Sequence, residues 1–170
     1  LLLRVGGRPS AVARSIDACA ATCREVGVAT VESLDDVASA TLWGNVTNLG
    51  WESGSPELLM RLLGTPSQGA ELSALVENES EAAVTLSVTR GVVKASWVRE
   101  AVPANVPAYV ARVRESVDAL GGAVVVESRS AHEGVDAWGT TPDGFAVMRQ
   151  LKNEYDPQGI LNPGRYVGGL

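Results

Sequence analysis

The end of this chain restricts its own geometry more than any other stretch. Thr141-Pro142-Asp143-Gly144 leads into a run from Phe145 to Tyr155, then Asp156-Pro157-Gln158-Gly159, Ile160-Leu161 and Asn162-Pro163-Gly164-Arg165. Phe145, Met148, Leu151 and Tyr155 recur at helical spacing and form one apolar stripe, with Arg149 and Lys152 on the other side. Thr141 is the expected N-cap, with Pro142 at the first helical position, where a missing N–H costs nothing. The helix must stop before Pro157, because the residue preceding proline disfavours helical angles. Asp156–Gly159 suits a type I turn. Asn162–Arg165 suits a type II turn, with Gly164 supplying the positive φ. Chain ends normally fray. Turn formers this closely set predict a tail that lies down on something, with Ile160 and Leu161 as its anchors.

That tail resembles the C-terminal signature of FAD-linked oxidases of the vanillyl-alcohol oxidase superfamily, and most of all the glycolate oxidase FAD-binding subunit of the E type. The resemblance rests on the Leu151-Lys152 pair, Tyr155, Asp156-Pro157, Gly159, the apolar pair and Asn162-Pro163-Gly164, preceded by Asp136-Ala137-Trp138-Gly139. It spans roughly the last thirty-five residues. It implies a cap or substrate domain of an FAD-dependent enzyme that oxidises a 2-hydroxy acid such as glycolate. In such relatives the cap sheet roofs the flavin and helps to hold substrate, while a separate N-terminal domain binds most of the FAD through a glycine-rich loop. No such loop follows Gly6-Gly7, Gly121-Gly122 or Gly168-Gly169. The 170 residues are therefore expected to be a C-terminal piece, inactive alone, whose first partner is its own N-terminal FAD domain. The E-type resemblance also implies a second flavoprotein subunit, an iron–sulfur subunit, and a cytoplasmic location peripheral to the inner membrane. The other reading is a non-catalytic ferredoxin-like module for subunit association or small-acid sensing.

Two strand–helix–strand units are read from the periodicity. The first, 1–33, has a strand Leu1–Val5, a helix Arg8–Val26 and a strand Val28–Ser33. The second, 91–130, has a strand Val92–Arg99, a helix Asn105–Leu120 and a strand Ala123–Arg129. Their closing strands echo each other, Ala29 to Ser33 against Val124 to Ser128. The expected fold is an α+β, ferredoxin-like two-layer sandwich: an antiparallel sheet with two helices on one face, an insertion over 34–90, and a C-terminal helix and tail over 131–170. Within the insertion, Asp35 is a candidate cap, Ser55-Pro56 opens a helix through Leu63, and Ala83–Arg90 is a strand that turns at Gly91 into the next.

Composition narrows the function classes. A net charge of −6, without clustered Lys and Arg, argues against nucleic acid. No run approaches the ~20 apolar residues of a membrane span. Cys19 and Cys23 sit four apart on a predicted helix, a poor geometry for a disulfide, and with His132 as the sole histidine no metal site is expected.

A 2-hydroxy acid needs a cation for its carboxylate and an acceptor for its hydroxyl proton. By strand alternation Glu127 and Arg129 point together from one strand, and Trp97 and Arg99 share a face of the strand before it. The four could line a substrate pocket, with His132 just beyond, or form a cross-strand ion pair under an aromatic cover. The resemblance puts Asn162 and Arg165 toward FAD or its domain. Asn162 equally suits fixing its own turn, and Arg165 a solvated charge.

Overall fold

The computed structural model describes residues 2–51, 55–77, 81–129 and 134–170. It divides into two compact units, Leu1–Gly44 and Asn45–Leu170.

In the first unit, helix α1 (Pro9–Glu25) follows the expected helix to within a residue at each end. Val12, Ile16, Cys19 and Cys23 are half-buried along one side, and both cysteines are free thiols. The expected strands do not form: neither residues 2–5 nor 28–33 are β structure. Alternation supplies a strand's face but not its partner, and a strand without a ladder is not stable. Helix α2 (Asp36–Thr47) starts where the sequence suggested, with Asp35 Oδ1 accepting from Ala38 N at 2.8 Å. Its later turns carry Trp43 and Gly44.

The sheet belongs entirely to the second unit. Its strands are β1 (Leu58–Leu63), β2 (Ala83–Ser87), β3 (Val92–Trp97) and β4 (Ala123–Arg129). They lie in the order β2-β3-β1-β4, every neighbouring pair antiparallel. Helix α3 (Gly69–Glu77) joins β1 to β2, and α4 (Val106–Ala119) joins β3 to β4. The order βαββαβ is the ferredoxin-like arrangement, an α+β two-layer sandwich as expected. The expected second unit is in place, and so is the hairpin at Gly91. The first half of the sheet is not where the sequence placed it. It is β1–α3–β2, inside the supposed insertion.

Strand β1 replaces the helix expected from Ser55 to Leu63. Leu58, Met60 and Leu62 point into the core and are fully buried. Leu59 is buried as well, on the opposite face. Arg61 alone breaks the apolar run, and periodicity cannot tell so short a run from a helix. The core fills the space between sheet and helices: Leu72 and Val76 from α3, Val106, Tyr109, Val110, Val113 and Val117 from α4, and Val93, Ala95 and Trp97 from β3. Helix α4 begins at Asn105, whose side chain accepts from Ala108 N at 3.1 Å, with a proline in the first turn.

The other face of the sheet carries no helix of this unit. One end of that face is closed by the segment before β1. Ser128 Oγ donates to Pro56 O at 3.1 Å, and the Gly50 backbone rests on Ser96. The middle is open. The registers set Thr85, Lys94, Arg61 and Val125 in one row across all four strands. No helix among the described residues is long and apolar enough to cross a membrane.

Candidate functional site

After β4 the chain returns along that strand's free edge, where Val126 N donates to Ala137 O at 2.7 Å and Val135 joins the core. Asp136 then ties the segment to α4. Its carbonyl accepts from Arg114 Nη2 at 2.6 Å, and its Oδ2 accepts from Gly139 N at 2.5 Å. Burial lowers the Arg114 pKa from its ordinary value, with Asp136 and Asp118 opposing. Gly139, at φ 76°, lies so close to the Arg114 guanidinium that a Cβ would sit 2.7 Å from its Nε. Thr140 Oγ1 donates to Asp118 Oδ2 at 3.1 Å.

Helix α5 (Phe145–Tyr155) begins three residues later than Thr141 and Pro142 suggested. Those residues instead make a turn, with Phe145 N donating to Pro142 O at 2.9 Å and Gly144 as N-cap. The apolar stripe forms, but it is not covered. Phe145 and Met148 are half-buried, while Leu151 and Tyr155 are exposed. Ile160 and Leu161, expected to anchor the tail in a core, are 70% and 58% exposed.

The tail keeps its shape through Asp156, a buried carboxylate. Lys152 Nζ, one helical turn earlier, donates to Asp156 Oδ2 and to Leu161 O. Ile160 N and Leu161 N donate to Asp156 Oδ1 and Oδ2, each at 3.0 Å. Both predicted turns close: Gly159 N on Asp156 O at 3.0 Å, and Arg165 N on Asn162 O at 3.2 Å with Gly164 at φ 71°. Trp138 staples the far end. Its Nε1 donates to Arg165 O at 3.1 Å, and its ring meets Tyr166 edge-on at 4.9 Å.

The Lys152 hydrogen bond holds the Asp156 pKa below the ordinary carboxylate value, and the Leu161 and Ile160 N–H groups add to it against the opposing effect of desolvation. A depressed carboxylate pKa contributes stability that is present at neutral pH and is lost as pH falls through the folded-state value. Acidification past the ordinary carboxylate range and through that depressed value is therefore expected to open the turn. The protection of the Ile160 and Leu161 amides, relative to their intrinsic exchange rates, should fall there, and Asp156→Asn should show the lower protection already at pH 7. Equal protection in Asp156→Asn and the unaltered chain at pH 7 would remove Asp156 from this role.

These elements enclose a cleft of about 440 Å³ lined by Met148, Lys152, Leu161, Asn162, Arg165, Tyr166 and Leu170. Asn162 and Arg165, the two residues expected toward FAD, thus both line it. Asn162 has φ 46°, a left-handed conformation that asparagine tolerates better than most residues. Arg165 has no ion pair among the described residues.

The residues expected toward substrate do not converge. Trp97 is fully buried on the helix side of the sheet, edge-on to Tyr109 at 5.6 Å. Arg99 lies beyond the end of β3, with a side chain 81% exposed and 3.6 Å from Glu57. Glu127 faces the opposite side from Trp97, because successive strand residues alternate. Arg129 is the register partner of Leu58, and its side chain is outside the described set, as is all of His132. Glu127 does take part in a cross-strand ion pair. Arg61 Nη2 lies 2.8 Å from its Oε1, and Lys94 Nζ 3.9 Å from its Oε2. Arg61 and Lys94 were missed by sequence reasoning, since their adjacency requires β1 to be a strand. The signal was the alternation of Leu58, Met60 and Leu62 around Arg61.

Residues 137–166 match the family model described as FAD linked oxidases, C-terminal domain. The matched stretch includes the Trp138 staple and every residue that lines the cleft except Leu170. It supports an FAD-linked oxidoreductase C-terminal domain, with FAD as the cofactor of that family. No curated protein and no solved structure matches the chain.

Proposed function

We propose that the chain is the C-terminal domain of an FAD-dependent oxidoreductase acting on a 2-hydroxy acid such as glycolate, in the manner of the E-type glycolate oxidase subunit. It covers the flavin, helps to form the substrate pocket, and docks on an N-terminal FAD-binding domain of the same polypeptide. The observation that carries this reading is an ordered tail whose apolar residues face outward. Leu151, Tyr155, Ile160 and Leu161 are exposed on a segment held rigid by internal hydrogen bonds. Apolar surface of this kind, rimmed by polar groups, is what a partner covers.

The cleft suits part of a flavin cofactor. Its volume falls within the range of small-ligand sites, and its walls combine a guanidinium with no ion pair among the described residues, an amide and a phenol with apolar Met148 and Leu170. Arg165 would meet a phosphate or a carboxylate through its fork, and Asn162 offers both a donor and acceptors. FAD, when bound, supplies the hydride acceptor; the protein contributes orientation and electrostatics. The tail's part is to position that edge and exclude water. The same reading places the protein in the cytoplasm, beside a second flavoprotein and an iron–sulfur subunit at the inner membrane.

The natural polypeptide that contains this chain, purified whole, should carry flavin absorbance that bleaches on addition of glycolate under anaerobic conditions. Arg165→Ala should weaken FAD retention about tenfold, the size of one lost charge-assisted contact. A colourless whole protein would overturn the reading.

A further inference from the structure

The two edges of the sheet are finished differently. At β4 the returning chain seals the edge: Val126 N donates to Ala137 O, and Val135, only 3% exposed, closes the core behind it. At β2, the opposite edge, no backbone hydrogen bond reaches the outer side of Ala83–Ser87 from any described residue. An unpaired edge is a row of N–H and C=O groups ready to accept another strand, and proteins that stay apart guard it with a charge, a proline or a bulge. Strand β2 has none of these. It reads Ala-Val-Thr-Leu-Ser, and its register with β3 runs without a shift. At five residues it has the ordinary length of a strand.

The core is left open on the same side. Val84 and Leu86 face the helix layer, opposite Ala95 and Val93, yet both are only half-buried. Leu75 of α3, packed against the same core, is half-buried as well, and Val88 just past the strand is exposed. Charge decides what fits beside them. Glu81 precedes β2 and Arg90 follows it; both are exposed, and neither has an ion pair among the described residues. A second β2 laid antiparallel about Thr85 sets Glu81 of each copy against Thr89 of the other, next to Arg90. Opposite charges then meet at both ends of the joint. A parallel pairing in register would set like against like, which is destabilising. The edge is thus complementary to itself under a two-fold axis, as an isologous contact requires.

We propose that two copies of this chain pair antiparallel along β2, doubling the four-stranded sheet, with Leu75, Val84 and Leu86 of both copies closing the seam on the helix side. The main-chain ladder supplies the joint, the apolar strip adds burial, and the Glu81–Arg90 pairs fix direction and register. The contact involves none of the residues that line the cleft and is independent of the cofactor and the reaction.

The test uses the whole natural polypeptide that contains this chain, followed by sedimentation equilibrium from about 1 to 200 µM. A dimer is expected with a dissociation constant of about 10 µM, in keeping with a small contact. Glu81→Arg and Arg90→Glu should each weaken it about tenfold, because the two-fold axis counts each change twice. The double variant, with the charges exchanged, should recover most of the affinity, a rescue that a misfolded edge would not give. Amide exchange on the unaltered protein supplies a second reading: alternate amides within Ala83–Ser87 should gain protection as concentration rises. A protein still monomeric at about 200 µM overturns the proposal, as does a dimer indifferent to both single exchanges or one that the double variant fails to restore. Outward amides of β2 protected equally at every concentration would show the edge covered by the polypeptide's own chain, and would overturn it too.

Discussion

Trp97→Ala is expected to destabilise the second unit by about 3–5 kcal/mol, measured as a lower urea midpoint with an unchanged slope. Trp97 is fully buried near the end of β3, a strand flanked by β2 and β1, and opposite Leu58. Its ring meets Tyr109 of α4 edge-on, so truncation removes both the sheet's largest side chain and its contact with the helix layer. Domains of this size are stable by only about 5–15 kcal/mol, so the variant should sit close to unfolding at moderate temperature. Trp97→Phe makes a sharper comparison. The indole Nε1 is buried without a hydrogen-bond partner, so the swap loses volume but also removes an unsatisfied donor. It should cost less than about 1.5 kcal/mol. This pair also separates a core residue from a substrate-contacting one. A substrate role would change ligand affinity with little loss of stability, and a truncation cost under about 1 kcal/mol would contradict the packing described here.

Gly91→Ala should be the second large effect, roughly 2–4 kcal/mol. Gly91 turns β2 into β3 at φ 61°, and a Cβ there would lie 2.4 Å from both Gly64 O and Thr65 C. Gly91 O also accepts from Gly64 N at 3.0 Å, so the β1–α3 loop and the hairpin meet backbone to backbone. A flexible side chain could swing aside, but main chain cannot, and the hairpin would have to shift. Gly121→Ala isolates the conformational part. Gly121 has φ 71° with nothing near its would-be Cβ, so that change should cost only the left-handed penalty of about 1–2 kcal/mol. Equal losses in the two variants, read from parallel urea melts, would discount the close approach.

The sequence was most legible where local chemistry and tertiary role agree. Val92 to Arg129 combined alternation, an asparagine cap, a proline in the first helical turn and a glycine stop, and the fold kept nearly every boundary. The tail turns were legible for the same reason: proline and glycine constrain φ whatever surrounds them. Leu58 to Leu63 was misread because the alternation around Arg61 is masked by Leu59 and Leu63 on the other face, and Ser55-Pro56 made a persuasive but idle cap. Helix α3 went unseen beside it, although Leu72 and Val76 are one turn apart. Leu1–Val5 and Val28–Ser33 erred in the other direction, since a plausible strand pattern carries no information about a partner. The same limit hid Lys94 and Arg61. They are far apart in the chain, and only the antiparallel register makes them neighbours.

The Lys152–Asp156 clasp has a consequence for how tightly the tail can associate. A loose terminus must surrender its freedom when it settles on a neighbour, at about 0.5–1.5 kcal/mol for each rotamer-rich side chain immobilised. Here both bends are already closed by backbone hydrogen bonds, and one carboxylate pins the segment between them. Most of the backbone ordering is complete before any encounter, so even a modest contact area can give a long-lived joint, and loosening the clasp should shorten its lifetime without altering a single residue on the mating surface.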